Sequence, residues 1–259
     1  MTAALQIYQR ELPGGTLRVE TTSETPLETL FDIAARRNPK RAFLFVSKIL
    51  GRHIPVSPAI MRASYETLAA KLPHDLPGPV LFIGMAETAV GLAAGVFRAA
   101  REQIAEPVFL TSTRHPVEGD LLCEFKEDHS HATDHLIYLP ADATLRRRAL
   151  QARTLVLIDD EATTGNTFLN LLQALREAGL QAVTRVVTVT LTDWSGDAVR
   201  HHCPLPVEPV SLVAGRWHWT PRAGAPVPVM PAVNMTAQGA VALSARQDWG
   251  RLGMADAHC

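Results

Sequence analysis

The stretch LVLIDDEATTGNTFLNLLQALREAG, residues 155–179, places two adjacent acids directly after an apolar run. Residues 155–158 are all apolar, which is typical of the end of a parallel strand buried on both faces. Further on, apolar residues recur at the i, i+3, i+4 and i+7 positions of an amphipathic helix, namely Phe168, Leu171, Leu172 and Leu175. Gly179 stands where a glycine commonly ends a helix. The stretch therefore predicts a strand, a tight turn and a helix.

The same alternation extends through most of the chain. Strands are predicted at 16–22, 41–48, 78–85, 107–113, 135–140, 154–159 and 182–193, and helices at 26–39, 57–72, 86–103 and 167–179. The first of these helices is expected because Pro26 suits an initial turn, Leu27, Leu30, Phe31 and Ala34 share a face, and Asn38-Pro39 ends it. Apolar strands that alternate with helices indicate an α/β domain, a parallel sheet flanked by helices.

The composition changes near residue 203. Residues 204–259 are rich in Pro, Gly and Trp and show no helical period. We therefore expect an α/β domain at 1–203 and, at 204–259, a C-terminal β-rich or irregular extension packed on the core.

The turn after the acids has the composition of a phosphate cradle. Gly165 permits a tight backbone path, and small donors surround it at Thr163, Thr164, Asn166 and Thr167. The helix N-terminus adds unpaired N–H groups and a partial positive charge. Adjacent carboxylates, Asp159 and Asp160, can accept hydrogen bonds from the vicinal hydroxyls of a ribose. The alternative is that the acids merely cap a helix in an ordinary doubly wound fold.

Residues 155–167 resemble the phosphoribosyl pyrophosphate signature of the type I phosphoribosyltransferases at every position. That signature is four apolar residues, Asp or Glu, Asp, three residues, Thr or Ser, Gly, any residue, and Thr or Ser. The resemblance implies that Asp159 and Asp160 hold the ribose 2- and 3-hydroxyls. It implies a cradle for the 5-phosphate at Ala162, Thr163, Thr164, Gly165, Asn166 and Thr167. It also implies the fold of that family, with a small hood formed by the N-terminal region.

Other segments resemble one subfamily. These are residues 38–58, 82–93, 126–135 and 249–254. They are similar to the orotate phosphoribosyltransferase-like proteins of tellurite-resistance-associated (ter) stress gene clusters. The resemblance implies a role in nucleotide metabolism, tellurite resistance and the stress response.

A second turn follows the strand predicted at 78–85. In the resembled family such a turn binds the pyrophosphate of the donor, and here it comprises Gly84, Met85, Ala86, Glu87 and Thr88. Glu87 departs from the family pattern because a carboxylate repels pyrophosphate unless Mg²⁺ lies between them. Three roles are open to it: positioning a metal, bonding a hydroxyl or base of another substrate, or favouring a helix N-terminus. Under the first two, a nucleoside monophosphate or ribosyl phosphate glycoside is the alternative substrate.

Basic side chains cluster beside the predicted sheet edge. Lys48, Arg52 and His53 could neutralise a leaving phosphate or contact a base, or could belong to a solvated loop. Residues 114–134 fall where the family has a loop that closes over the active site and excludes water.

That loop is rich in cations and potential acids. Arg114, His129 and His131 are candidate catalytic residues, because neutral histidine suits proton delivery to a leaving base. His115, Lys126 and His135 extend the set. A metal cluster of His129, His131, Asp134 and His135, or a plain surface, are the alternatives.

The bulk properties exclude several classes of protein. The net charge of −1 gives no global attraction to nucleic acid or anionic membranes. Three scattered cysteines, Cys123, Cys203 and Cys259, favour a reducing compartment over a disulfide framework. Neither a secretory signal pattern nor a membrane-length apolar run is present. We expect a cytoplasmic protein that binds neither nucleic acid nor membrane.

Together these features predict an enzyme, a phosphoribosyltransferase of the pentosyltransferase class. The expected reaction makes or breaks an N-glycosidic bond at C1 of a ribose 5-phosphate in a nucleotide, orotate- or pyrimidine-like, with phosphoribosyl pyrophosphate or a related ribosyl phosphate. Mg²⁺ is the expected cofactor, held through the substrate and by Glu87 if that residue is a ligand. The family often pairs subunits near its active site, so a homodimer is expected. The alternatives are a nucleotide-binding regulator without turnover, or a nucleotide glycosidase or phosphorylase that releases free base.

Overall fold

The computed structural model describes residues 4–23, 25–36, 42–52, 54–126 and 134–224. Its strands are β1 Gln6–Leu12, β2 Gly15–Thr21, β3 Phe31–Ala35, β4 Phe43–Ser47, β5 Val80–Gly84, β6 Pro107–Thr113, β7 Leu121–Phe125, β8 His135–Tyr138, β9 Thr154–Ile158, β10 Glu161–Ala162, β11 Arg185–Asp193 and β12 Val207–Pro221. Its helices are α1 Leu27–Leu30, α2 Pro58–Ala70, α3 Val90–Ala100, α4 Ala143–Leu150, α5 Asn166–Glu177 and α6 Ala198–His202, with a 3-10 turn at Arg101–Gln103.

The large sheet has the strand order β1-β2-β12-β11-β9-β5-β6-β8-β7, and β10 pairs with β11. Its five central strands, from β12 to β6, run parallel to one another. Antiparallel pairs, β1–β2 and β7–β8, form the two edges. The predicted α/β fold with a parallel sheet flanked by helices is therefore confirmed, with these antiparallel edges in addition.

Helices cover both faces of this sheet because the side chains of its strands alternate between two cores. On β5, Val80 and Phe82 face a core shared with α2 and α3, whereas Leu81 and Ile83 face a core shared with α4 and α5. The predicted amphipathic face of α5 is confirmed, since Phe168, Leu171, Leu172 and Leu175 are all buried.

A separate two-stranded sheet, β3–β4, forms the hood, which we define as residues 27–36 and 42–52. The helix predicted over 26–39 is wrong. The observed helix is only α1, and Phe31–Ala35 forms a strand paired antiparallel with Phe43–Ser47. The cause is packing: Phe31 and Ile33 are buried and alternate with half-buried positions, so a strand places both against the aromatic residues of β4 and the core.

Strand β12 belongs to the large sheet. Its first half pairs parallel with β11, and its second half pairs antiparallel with β2. The predicted boundary after residue 203 thus precedes a strand that lies inside the main sheet. Residues 225–259 lie outside the described ranges, so the division into a domain and an extension stays a prediction. Among the described helices, none has the length and apolar character needed to span a bilayer.

Candidate active site

The acid pair lies at the carboxyl end of β9, in the middle of the parallel sheet. The Asp159 N–H donates to the Val189 carbonyl at 3.0 Å, and the Asp160 N–H donates to Asp159 Oδ1 at 2.9 Å. The Asp160 carbonyl in turn accepts from the N–H of Leu191 at 3.1 Å. Both carboxylates are half-buried. The backbone is therefore fixed on both sides of the acid pair.

The predicted phosphate cradle folds as a compact turn between β10 and α5. Strand β10 pairs with the end of β11, and the Ala162 carbonyl accepts from the Trp194 N–H at 2.8 Å. Gly165 has φ of 79°, a left-handed conformation that favours glycine, and a side chain there would overlap Val199 of α6. Thr164 Oγ1 accepts from the Asn166 N–H at 3.4 Å.

The donors of this turn meet the first turn of a long helix. Asn166 and Thr167 begin the 12-residue helix α5, whose first N–H groups lack partners within the helix. Thr163 Oγ1 donates to Glu161 Oε1 at 3.3 Å. Residues 161–167 therefore join a left-handed glycine to a helix N-terminus, and the binding of an anion there stays a prediction.

The second predicted turn, Gly84–Thr88, lies beside the acid pair. The Met85 N–H donates to the carbonyl of Ile158, the residue directly before Asp159, at 2.9 Å. The Ala86 N–H donates to Ser112 Oγ at 2.8 Å, and the Ala86–Glu87 peptide bond is cis. The Ala89 N–H closes the turn onto the Met85 carbonyl at 3.2 Å. Helix α3 begins at Val90, so Glu87 and Thr88 lie just before a helix N-terminus.

Glu87 forms an ion pair with the hood. Arg52 Nη2 donates to Glu87 Oε2 at 3.1 Å, and the two side chains are 46% and 55% exposed. The carboxylate that departs from the family pattern is thus accompanied by a cation. Lys48 instead contacts the hood itself, donating to the Glu28 carbonyl at 3.0 Å and lying 3.8 Å from Asp32 Oδ2.

Aromatic packing joins the hood to the large sheet. The ring of Phe45 stacks on Trp194, which directly follows β11, with centroids 5.0 Å apart and planes 23° apart. Phe31 meets the same indole edge-on at 6.0 Å. A narrow cleft of about 20 Å³ separates the hood from the acid pair, with Ser47 and Asp160 in its lining. That volume accommodates about one water molecule.

The loop candidates occupy different environments. Arg114 directly follows β6 and is half-buried, and His115 is exposed. Lys126 Nζ lies 3.6 Å from Asp134 Oδ2. His135 is fully buried, stacked on Phe125 with ring centroids 4.5 Å apart, and its Nδ1 lies 2.9 Å from Ser112 Oγ. His53, His129 and His131 lie outside the described residues.

Three residues at the site were missed by sequence reasoning. Trp194 and Val199 form the wall behind the cradle, and Ser112 holds the second turn. The segment DWSG, 193–196, carries a signal for Trp194, since a glycine-containing turn follows an apolar strand there. Ser112 carries no such signal, because only the pairing of β5 with β6 brings it to Ala86.

The donor set fits Mg²⁺ in the way that phosphate-binding enzymes hold it. Within the described ranges, no group of three or more His, Cys, Asp or Glu side chains is placed to hold a metal ion by itself. Mg²⁺ usually keeps several waters and binds one or two carboxylates together with substrate phosphates. The half-buried carboxylates of Asp159 and Asp160 at the sheet edge meet that lesser requirement.

Three solved structures are similar to this chain, and the first of them supports the fold. The adenine phosphoribosyltransferase of Trypanosoma brucei, in complex with AMP, pyrophosphate and ribose-5-phosphate, has a TM-score of 0.50 and is 13% identical, over 80% of this chain and 86% of that one. The adenine enzyme of Leishmania donovani gives a TM-score of 0.49 and 16% identity, over 71% and 77% of the two chains. The orotate phosphoribosyltransferase of Aeropyrum pernix gives a TM-score of 0.42 and 18% identity, over 67% and 79%.

A family model provides the assignment. No match is found among curated protein sequences. The model described as phosphoribosyl transferase matches residues 30–216, which is most of the chain and includes both hood strands, both turns and the acid pair. The chain therefore belongs to the phosphoribosyl transferase family of pentosyltransferase enzymes.

Proposed function

We propose that the protein catalyses displacement at C1 of a ribose 5-phosphate and thereby makes or breaks the N-glycosidic bond of a nucleotide. The observation that carries the proposal is the hydrogen bond of 2.9 Å from the Met85 N–H to the Ile158 carbonyl. This bond holds the second turn against Ile158, the residue that precedes the acid pair. On the other side of the acid pair, the chain continues into the cradle. A pentose on Asp159 and Asp160 would then have its 5-phosphate at residues 161–167 and its C1 substituent toward residues 84–88.

Each part of the site has a role in this reaction. The transition state resembles an oxocarbenium ion, so catalysis depends on positioning, on negative charge near the ring and on neutralisation of the leaving group. Asp159 and Asp160 would orient the ring through its hydroxyls and supply the negative charge. The N–H groups at the start of α5, with Thr163, Thr164 and Thr167, would hold the 5-phosphate. Arg114 and the histidines of the 114–134 loop are proposed to assist the leaving base.

Magnesium is proposed as the cofactor, with Asp159 and Asp160 as the residues that would hold it together with the substrate. When bound, Mg²⁺ would neutralise charge on a pyrophosphate group. Glu87 is a further candidate ligand, in competition with its ion pair to Arg52.

The finer substrate follows from the resemblances and is proposed on that basis. Orotate-like or other pyrimidine nucleotides, with phosphoribosyl pyrophosphate as donor, are the first choice. The Trypanosoma brucei enzyme was crystallised with AMP, pyrophosphate and ribose-5-phosphate, so purine nucleotides are included as well. A homodimer, a cytoplasmic location and a role in the tellurite-resistance stress response belong to the same proposal.

The test is a mass-spectrometric screen of nucleoside monophosphates and free bases, with and without pyrophosphate, phosphoribosyl pyrophosphate and Mg²⁺. We expect base exchange that needs pyrophosphate, and at least about a 100-fold loss of rate in the double variant Asp159→Asn, Asp160→Asn, since positioning terms reach that size. Asp75→Asn is the matched control. Asp75 pairs with Arg185 at the start of β11, so the pair lies at the amino end of the parallel strands, opposite the end that carries the acid pair.

The outcomes separate the functions. Full activity in the double variant would contradict the assignment of the acid pair. Nucleotide binding without any turnover would favour a regulator, and release of free base without pyrophosphate would favour a glycosidase.

A further inference from the structure

A buried polar pair, Ser112 and His135, lies behind the second turn. Ser112 is 2% exposed and His135 is not exposed at all. Ser112 belongs to β6 and His135 opens β8, and these two strands pair antiparallel. The His135 ring is held from the other side by its stack on Phe125, with planes 8° apart. Its orientation is therefore set by the sheet.

The pair ends on the backbone of the second turn. Ser112 Oγ accepts from the Ala86 N–H at 2.8 Å and lies 2.9 Å from His135 Nδ1. A hydroxyl can accept from an amide and still exchange one more hydrogen bond with an imidazole nitrogen in either tautomer. Serine and threonine meet both demands, whereas alanine or valine would leave the Ala86 N–H without this partner.

The turn is thus fixed at two successive amides by two different parts of the fold. The Met85 N–H donates to the end of β9, next to the acid pair, and the Ala86 N–H donates to Ser112. The residue that follows is Glu87, whose side chain reaches Arg52 of the hood. Loss of the Ser112 bond would release the part of the turn that faces the anion while leaving the bond next to the acid pair in place.

We infer that Ser112 and His135 are positioning residues that act through the Ala86 amide and set the affinity of residues 84–88 for the anion leaving C1. This inference rests on the proposed function and adds to it two residues that do not touch the substrate. His135 then has a positioning role and is not a metal ligand or a proton donor to the base.

The test is isothermal titration of the whole chain with two probes, inorganic pyrophosphate and ribose 5-phosphate. We expect Ser112→Ala to weaken pyrophosphate binding about 5- to 30-fold, the usual effect of losing one buried hydrogen bond. Ser112→Thr, which keeps the hydroxyl, should stay within about 2-fold of the wild type. His135→Phe keeps a ring on Phe125 and should give a smaller loss than Ser112→Ala. Ribose 5-phosphate should bind all variants alike.

Thr154→Val is the matched control for the loss of a buried hydroxyl. Thr154 Oγ1 donates to the Pro77 carbonyl at 2.8 Å at the start of β9, away from the turn. It should lower the melting temperature as Ser112→Ala does and leave the pyrophosphate affinity unchanged. Equal losses for both probes in Ser112→Ala, or wild-type pyrophosphate binding in that variant, would overturn the inference. A wild-type chain that binds ribose 5-phosphate but not pyrophosphate overturns the inference alone, and one that binds neither overturns the proposed function as well.

Discussion

Replacement of Glu87 by Gln should tighten the binding of pyrophosphate. Glu87 is an acid in the turn that we propose for the leaving anion. Its partner is the cation of Arg52, whose Nη2 lies 3.1 Å from Glu87 Oε2. An anion that binds Arg52 must approach the carboxylate and compete with it. Gln keeps the size of the side chain and a hydrogen-bond acceptor for the guanidinium but removes the charge.

The magnitude follows from the geometry of this pair. An anion in contact with Arg52 lies about 5 Å from the Glu87 carboxylate, where two unit charges in bulk water repel by about 0.8 kcal/mol. Both side chains are about half exposed, so the value for water is the suitable one. Competition for the guanidinium adds about 0.2–1 kcal/mol, the usual value of an exposed ion pair. The two contributions together amount to about 1–1.8 kcal/mol, which corresponds to about 5- to 20-fold tighter binding.

The assay is titration calorimetry with pyrophosphate in metal-free buffer, at low and at high salt. The effect of Glu87→Gln should shrink at about 1 M salt, where the screening length falls to about 3 Å. Arg52→Gln should weaken binding. Glu11→Gln is the matched control, because Glu11 pairs with Arg222 at the same 3.1 Å and with similar exposure.

Unchanged or weaker pyrophosphate binding by Glu87→Gln in metal-free buffer would refute the reasoning. A loss that appears only when Mg²⁺ is present would instead assign Glu87 to the metal.

Three further results are expected. Gly165→Ala should lower the free energy of unfolding in urea by about 2–4 kcal/mol, because the left-handed backbone alone costs about 1–2 kcal/mol and the new methyl overlaps Val199. Adding Val199→Ala should recover only the part of this loss that comes from the overlap. Full recovery of the free energy would contradict the backbone strain. Burial raises the pKa of the Cys123 thiol from 9.0 to about 12. As the pH rises, the thiol ionises first in the unfolded chain. The free energy of unfolding should therefore be insensitive to this group below pH 9 and should fall between about pH 9 and 12, by at most ~1.4 kcal/mol per pH unit. Cys123→Ala should remove that slope in pH-dependent denaturation, and an unchanged slope would contradict the assignment to Cys123. Phe45→Ala should cost about 3–5 kcal/mol and shift the tryptophan emission to the red, since it uncovers Trp194; an unchanged spectrum would show that the stack is absent in solution.

The first strand, turn and helix of the site could be predicted because their signals are local. Residues 155–158 are continuously apolar, Gly165 needs a left-handed backbone, and the apolar spacing from Phe168 to Leu175 permits only one buried face. Each signal lies within a few residues of the structure it specifies. The composition of the turn also predicts a phosphate ligand, and this ligand and the role of each side chain stay predictions.

The hood shows where local signals mislead. Leu27, Leu30, Phe31 and Ala34 fit a helical period, but the same residues also fit a short helical turn followed by an alternating strand. Residues distant in sequence favour the strand, since the ring centroid of Phe31 lies 4.9 Å from that of Phe45 and 6.0 Å from that of Trp194. Tertiary packing overrides helix propensity in such a case.

The edge strand β7 was missed for a similar reason. Leu121–Phe125 lies inside a polar stretch and is only five residues long, and its buried positions are Cys123 and Phe125. Residues 126–134 separate β7 from its partner β8 in the sequence, so no local pattern predicts this strand. Ser112 could not be recognised either, because its importance arises from the distance to Ala86 across two strands.

Strand β12 has a consequence for biosynthesis. It joins the N-terminal hairpin to the parallel strands, and Thr21 Oγ1 donates to the Ala214 carbonyl across 193 residues of chain at 2.6 Å. A ribosome adds about 5–20 residues per second, so the hairpin β1–β2 waits roughly 10–40 s after emergence before its partner exists. During that interval β2 has an unpaired backbone edge, and its Leu17 and Val19 side chains, which are fully buried in the finished protein, lack their β12 neighbours. The nascent chain therefore carries the hairpin of residues 6–21 without its sheet partner through most of its synthesis, and a chaperone that binds this hairpin would protect it until translation passes residue 221.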